Sequence, residues 1–412
     1  MARKVLIVGM LVMVLMALSL GGVAAQDTTT IRYFTFSAAP DHLQDLQKIV
    51  QAFEDANKGI TVNVETAAFA DYFTLLQADT VGGAAPDVFE LNYENFGSYV
   101  SNGALADLTS SISKDAPYYP RALQVFQQDG KQYALPESFS TVVLFYNKDL
   151  FDKAGVAYPT KDWTWDDALK AAKAIRALGS DTWGLYSPIQ FYEFYKKAAQ
   201  NGDCHFFNDA MTESTINSPA CVATLDLMTS FLKEGVMPTT AQLSGVANED
   251  LFASGKLGMD VIGIWEFAAF KDAPFKWDIQ VEPMIKQHAA HFFANGIAVS
   301  ASSKNVDAAS KWAQFLTSSE TAATVRIASG WELPALNQPS YFTDYLKQTP
   351  PDNRQAVFDS LEGAVVPPVI ARQSEMQDAV SNLLGQVADG TLTSQDALDQ
   401  AKAQLDELLK PA

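Results

Sequence analysis

Along the first third of the chain, apolar residues switch repeatedly between the two-residue period of a strand and the longer period of a helix. Residues 31–36, β-branched and aromatic, predict a strand. Asp41 is placed to cap a helix that carries Leu43, Leu46, Val50 and Phe53 on one face and is stopped by Gly59. Ile60, Val62 and Val64 alternate as a second strand, a helical stretch runs through Tyr72 and Leu76, and 86–91 gives a third strand. A β-then-α rhythm predicts a parallel sheet covered by helices, a doubly wound α/β lobe.

Between Tyr133 and Tyr146 the pattern becomes extended, over 134–137 and again over 141–145, and can carry the chain from one lobe to another. Helical spacing follows at 165–178, 191–201 and 218–233, the last opened by Ser218 as cap with Pro219 in the first turn. Strand character returns at 257–264 and 296–300, and the remainder reads as helices at 307–315, 375–387 and 394–409. No internal repeat or low-complexity linker interrupts this order. The 412 residues exceed what one hydrophobic core usually supports, so two domains are expected.

Composition narrows the class. Arg3 and Lys4, an apolar run over 5–20, and Val23-Ala24-Ala25 before Gln26 predict a removable export signal over residues 1–25, the alternative being an uncleaved anchor helix. No cysteine follows the signal to take a lipid anchor, so the expected compartment is periplasmic or extracellular. A formal net charge of −19 argues against nucleic acid, whose phosphates need a basic face. The two cysteines, Cys204 and Cys221, would meet an oxidising compartment, and a disulfide is expected over two separate buried thiols. His288 and His291 stand three apart, but beside Phe292 and Phe293 the segment reads as extended, which points them to opposite faces. No phosphate loop, His-Glu-x-x-His motif, nucleophile elbow or Cys-x-x-Cys pair is present, and neither a metal nor a cofactor is expected.

Several blocks, in order, carry a family resemblance: Pro86-Asp87-Val88-Phe89-Glu90-Leu91-Asn92-Tyr93-Glu94-Asn95-Phe96-Gly97 with Gly103-Ala104-Leu105 downstream; Phe145-Tyr146-Asn147-Lys148-Asp149-Leu150-Phe151; Trp163-Thr164-Trp165-Asp166-Asp167; Phe252-Ala253-Ser254-Gly255-Lys256-Leu257-Gly258-Met259 leading to Gly263-Ile264-Trp265; and Gly390-Thr391-Leu392-Thr393-Ser394-Gln395-Asp396-Ala397-Leu398. The chain resembles the family-1 extracellular solute-binding proteins of ABC importers, which include maltose-binding protein. The resemblance implies two Rossmann-like α/β lobes joined by a hinge crossed three times, near 137–141, 295–300 and 336–341 (the type II periplasmic binding protein fold). Residues 26–138 with 299–337 would form one lobe, and 139–298 with 338–412 the other. It further implies a monomer that holds a sugar or oligosaccharide between the lobes and passes it, by hinge closure, to permease subunits in the membrane.

A sugar cleft needs aromatic platforms for C–H faces and planar polar groups for hydroxyls. Trp265 matches the family's stacking tryptophan, and Glu94 and Asn95 match an acid and an arginine that bind maltose in that relative. Asn92 and Tyr93 belong to the same strand end, where ligands of open α/β sheets gather. Because Asn95 stands for a cation and Leu91 for a tryptophan, a ligand other than maltose is implied. Glu137 and Ser140 fall at the first crossing; Gln190, Tyr192 and Tyr195 at a helix start that supplies an acid and aromatics in the relative. Phe36 and Ser37 end the first strand. Asn295 and Gly296 mark a strand where a small residue admits a ligand to the backbone. Trp331 and Arg372 complete the candidates, each with packing or a surface salt bridge as the alternative. Rival readings are a secreted carbohydrate-active enzyme, which would need two carboxylates at catalytic separation, and the same fold binding a polyamine or a glycerol-phosphate ester.

Overall fold

Residues 28–37, 40–113, 116–329 and 333–410 are described by the computed structural model, so the expected signal at 1–25 and the candidate Trp331 lie outside the described residues. Strand β1 (Thr29–Thr35) leads through helix α1 (Pro40–Ala56) to β2 (Ile60–Thr66), which pairs in parallel with β1 along its length. Helix α2 (Phe69–Val81) returns the chain to β3 (Val88–Asn92), parallel to β1 on its other side, and α3 (Tyr93–Ser101) follows at once. The β-α rhythm of the sequence is thus realised as a parallel three-stranded unit with its carboxyl ends together.

Strand β4 (Ala134–Asn147) is buried along all 14 residues. After it come α4 (Trp165–Arg176), α5 (Phe191–Asn201), α6 (Pro219–Lys233), β5 (Met259–Gly263), β6 (Trp277–Gln280) and β7 (Ala290–Val299). The capping box of Thr164 and Asp167 on α4, and the Ser218 cap with Pro219 on α6, account for two of these boundaries; such caps contribute about 1 kcal/mol each. The chain closes with α7 (Val306–Ser318), α8 (Glu320–Ser329), β8 (Leu333–Pro334), β9 (Ala364–Val365), α9 (Gln373–Ala388) and α10 (Ser394–Leu408).

The central sheet runs β8-β4-β7-β3-β1-β2. Within β4 the partner changes: up to Thr141 it pairs antiparallel with β7, and from Val142 onward with β5 and β6. One strand therefore belongs to both halves of the molecule, near the first expected crossing. Strand β7 does the same from the other direction: it starts at Ala290, earlier than the sequence pattern indicates, beside β9, and ends against β3. Strand β6 and helix α8 were not anticipated. The four-residue β6 is too short for a periodic signal, and α8 carries little apolar contrast.

Each half has a core of its own, and a further cluster, from Phe34 and Phe89 to Phe145 and Trp277, runs through both. In one half, Trp312 of α7 meets Tyr33 and Phe53 edge-on at 5.6 and 5.2 Å. In the other, α5, α6, α9 and α10 bury Phe194, Leu225, Leu384 and Leu405 together. Cys204 and Cys221 are disulfide-bonded, with Cα atoms 4.7 Å apart, tying the end of α5 to the first turn of α6. Among the described residues no helix is long and apolar enough to cross a membrane.

Candidate functional site

Side chains alternate across a strand, so the facing of each residue on β7 and β4 is settled by register. Phe292 pairs with Thr141 and packs inward on Phe139. Phe293 pairs with Ser140, and Asn295 with Ser138 and Asn92, so Ser140, Phe293 and Asn295 share the opposite face. On that face Phe293 meets Trp265 edge-on at 5.6 Å and Tyr192 at 5.7 Å. The Ser140 hydroxyl is buried there with no hydrogen-bond partner among the described residues.

Trp265 is held in the turn that follows β5 and is 51 % exposed, unusual for so large an apolar ring. Gly263 makes that position possible: a Cβ there would come within 1.9 Å of the indole. Tyr192 enters from the first turn of α5 and packs against His291. Burial raises its hydroxyl pKa to about 12, helped by the charge of Glu94 and opposed by the side chain of Gln377 on α9. Glu94 belongs to the first turn of α3, in the other half. Its own pKa is raised, because desolvation outweighs the help of its own backbone N–H. The charge of Glu94 is thus felt by Tyr192 from the other half.

Glu94 and Asn95 also line a cavity of about 1160 Å³ between α2 and α3 on one side and residues 369–374 on the other. Among its described lining residues Glu94 is the sole acid, and none is a lysine or arginine. Such a wall suits a large neutral ligand rich in hydroxyls.

Other candidates are placed differently from expectation. Asn92 is a helix cap, its Oδ1 accepting from the Asn95 backbone N–H at 3.3 Å and from the Asn95 Nδ2 at 2.8 Å. Tyr93 lines a separate recess of about 340 Å³ with Val366 and Val369 opposite. Glu137, 1 % exposed at a bulge of β4, is enclosed by protein and ion-paired to Arg326 of α8. Tyr195 is 4 % exposed, its hydroxyl engaged by the His291 Nδ1 and donating to the Val365 carbonyl at 3.3 Å, so it props the aromatic floor from beneath. Gln190 is exposed at the start of α5 and makes no cap bond. Gly296 leaves room for a core ring instead of a ligand: a Cβ would meet Phe126 at 2.8 Å. Arg372 is exposed and paired with Glu375 one turn away, the surface salt bridge held as its alternative.

Phe36 and Ser37 are fixed by a residue the sequence reading passed over. The buried Glu90 carboxylate accepts from the Thr35 hydroxyl at 2.6 Å, from the backbone N–H groups of Phe36 and Ser37 at 3.2 and 3.1 Å, and from the Ser37 hydroxyl. An acid in the middle of the apolar strand Val88–Asn92 was the available signal. Phe293 and Gly263 were likewise missed, because their roles depend on contacts between distant segments.

Two α/β halves sharing strands, with an exposed tryptophan in one, an acid in the other and a large cavity holding that acid, define a solute receptor of the two-lobed binding-protein class. The chain belongs to the bacterial extracellular solute-binding protein family, whose model matches residues 39–323. It is similar to an ABC substrate-binding protein from Listeria monocytogenes solved in complex with cycloalternan, at 48 % identity and a TM-score of 0.85, over 92 % of this chain and 99 % of that one. It is also 27 % identical over 368 residues to the galactooligosaccharide-binding protein of Bacillus subtilis, covering 86 % of this chain and 84 % of that protein. The maltodextrin-binding protein of the same organism is 23 % identical over 392 residues, 92 % of this chain and 90 % of the relative. The fold is that of the type II periplasmic binding proteins.

Proposed function

We propose that this protein is the receptor of an ABC importer for an oligosaccharide, which it holds between the lobes, closes upon, and delivers unaltered to a membrane permease. One observation carries this: Trp265, half exposed and edge-on to Phe293, sits in the half opposite Glu94. An aromatic face for C–H surfaces and a desolvated carboxylate for hydroxyls is the pairing a sugar requires. The relatives named for galactooligosaccharide, maltodextrin and cycloalternan support the same class. Export by a signal at 1–25 and lobes of 26–138 with 299–337 and 139–298 with 338–412 belong to this proposal.

Glycoside hydrolysis would need two carboxyl groups about 5–9.5 Å apart, and the single acid among the described lining residues favours binding over turnover. The same wall suits neither a polyamine, which wants several acids, nor a phosphate ester, which wants arginine. The experiment is calorimetric titration with maltotetraose and cycloalternan. Trp265→Ala should weaken binding roughly tenfold or more, as expected for about 1.5–3 kcal/mol of aromatic contact. Unchanged affinity would remove Trp265 from the site, and release of reducing ends from either glycan would overturn the receptor assignment.

A further inference from the structure

One patch of aromatic surface in the amino-terminal half extends outward from Phe36, at the edge of the site described so far. On α2, Phe69, Phe73 and Gln77 stand four residues apart in turn and so lie on one face. On the adjoining face Tyr72 and Leu76 are wholly buried, and Phe36 and Phe73 rest their inner edges against that core. Phe69 is 58 % exposed. Its ring lies 5.2 Å from that of Phe36 and 5.7 Å from that of Phe73, and Phe36 and Phe73 are themselves 5.7 Å apart. Single exposed apolar residues are ordinary; three rings in mutual contact are a continuous surface.

That surface is also fixed in place, and it reaches the cavity through Phe73. Glu90 clamps the loop that carries Phe36, and Phe73 and Gln77 line the same cavity of about 1160 Å³ as Glu94 and Asn95. The volume lies beyond the range of about 300–1,000 Å³ usual for small-molecule pockets, so a monosaccharide leaves most of it empty. Resting on the oligosaccharide assignment above, we propose that Phe36, Phe69 and Phe73 form a second stacking platform. It receives a pyranose ring of the ligand whose other end lies on Trp265, and so selects glycans of several rings over mono- and disaccharides. Apolar C–H faces of one ring settle on the phenyl groups while Gln77 and Asn95 meet its hydroxyls.

Calorimetry with maltose, maltotetraose and cycloalternan tests this on the wild-type protein, Phe69→Ala, Phe69→Tyr and Trp265→Ala. Phe69→Ala should weaken binding of whichever larger glycan the wild type prefers by roughly tenfold, the worth of one ring's contact, while Phe69→Tyr retains it. Maltose affinity should not change. Because Phe69 is exposed, an unaltered melting temperature shows that Phe69→Ala is folded. Should Trp265→Ala lose affinity while Phe69→Ala binds the larger glycans as wild type does, the second platform is overturned and the oligosaccharide receptor stands. A wild type that binds none of the three, or prefers maltose, overturns both.

Discussion

At the residue scale, Glu94 links the proposed site to stability. Desolvation raises its pKa, so the folded protein carries the charged form at a cost. The sign follows from linkage: the contribution of Glu94 is whole below its unfolded pKa and is lost as pH rises through its raised folded value. At neutral pH the neutral isostere Glu94→Gln should therefore melt at a higher temperature than wild type, and the difference should vanish at acidic pH. The same variant should bind oligosaccharide more weakly, because an amide accepts hydroxyl hydrogens less strongly than a carboxylate. Differential scanning fluorimetry across pH, paired with titration at pH 7, checks both halves. A variant that melts lower at pH 7 contradicts the desolvation account.

At the scale of elements, the helix that presents Tyr192 is locked by a buried quartet of charges. Lys196 and Lys197 of α5 each reach Glu193 of the same helix at 2.6 Å; Glu282, which follows β6, pairs with both lysines, 3.1 Å from Lys197. All four are 4 % exposed or less. Lys197 also lies over the Trp165 ring at 4.3 Å, joining α5 to α4. Removing one member leaves an uncompensated buried charge, so Lys196→Met should destabilise the protein by roughly 3–5 kcal/mol. Urea denaturation measures this, and a loss under about 1 kcal/mol would mean water or another group relieves the orphaned carboxylate. Since Tyr192 and Tyr195 ride on this helix, affinity should fall with the stability.

At the scale of the whole molecule, two strands run through both halves, and their register decides what closes on the ligand. Ligand shifts an open-to-closed equilibrium only through contacts that the two halves make together. In the proposed site, Glu94 on one side and Tyr192 with Trp265 on the other would be such contacts. Small-angle scattering should therefore show a smaller radius of gyration on saturation with a glycan that binds, and Trp265→Ala should need more glycan for the same change. A radius that stays constant at saturation contradicts hinge closure.

Much of this was legible in the chain by itself. Strand and helix periods are local, so β1 to β3, α5 and α6 fall close to where spacing and caps put them, and the cysteine count, read with an expected export signal, implied the Cys204–Cys221 bond. The order of motifs carried the family. Which polar residues face the cleft was decided only by tertiary structure. Glu94 and Glu137 are both acids in or just beyond apolar strands, yet one meets a cavity and the other is enclosed, with Arg326, far along the chain, arriving to pair with it. Gly263 and Gly296 look alike in sequence; one seats the indole of Trp265 and the other makes room for Phe126. Periodicity tells a residue which way it points relative to its neighbours, but what it points at is supplied by segments distant in sequence, through packing that no local pattern encodes.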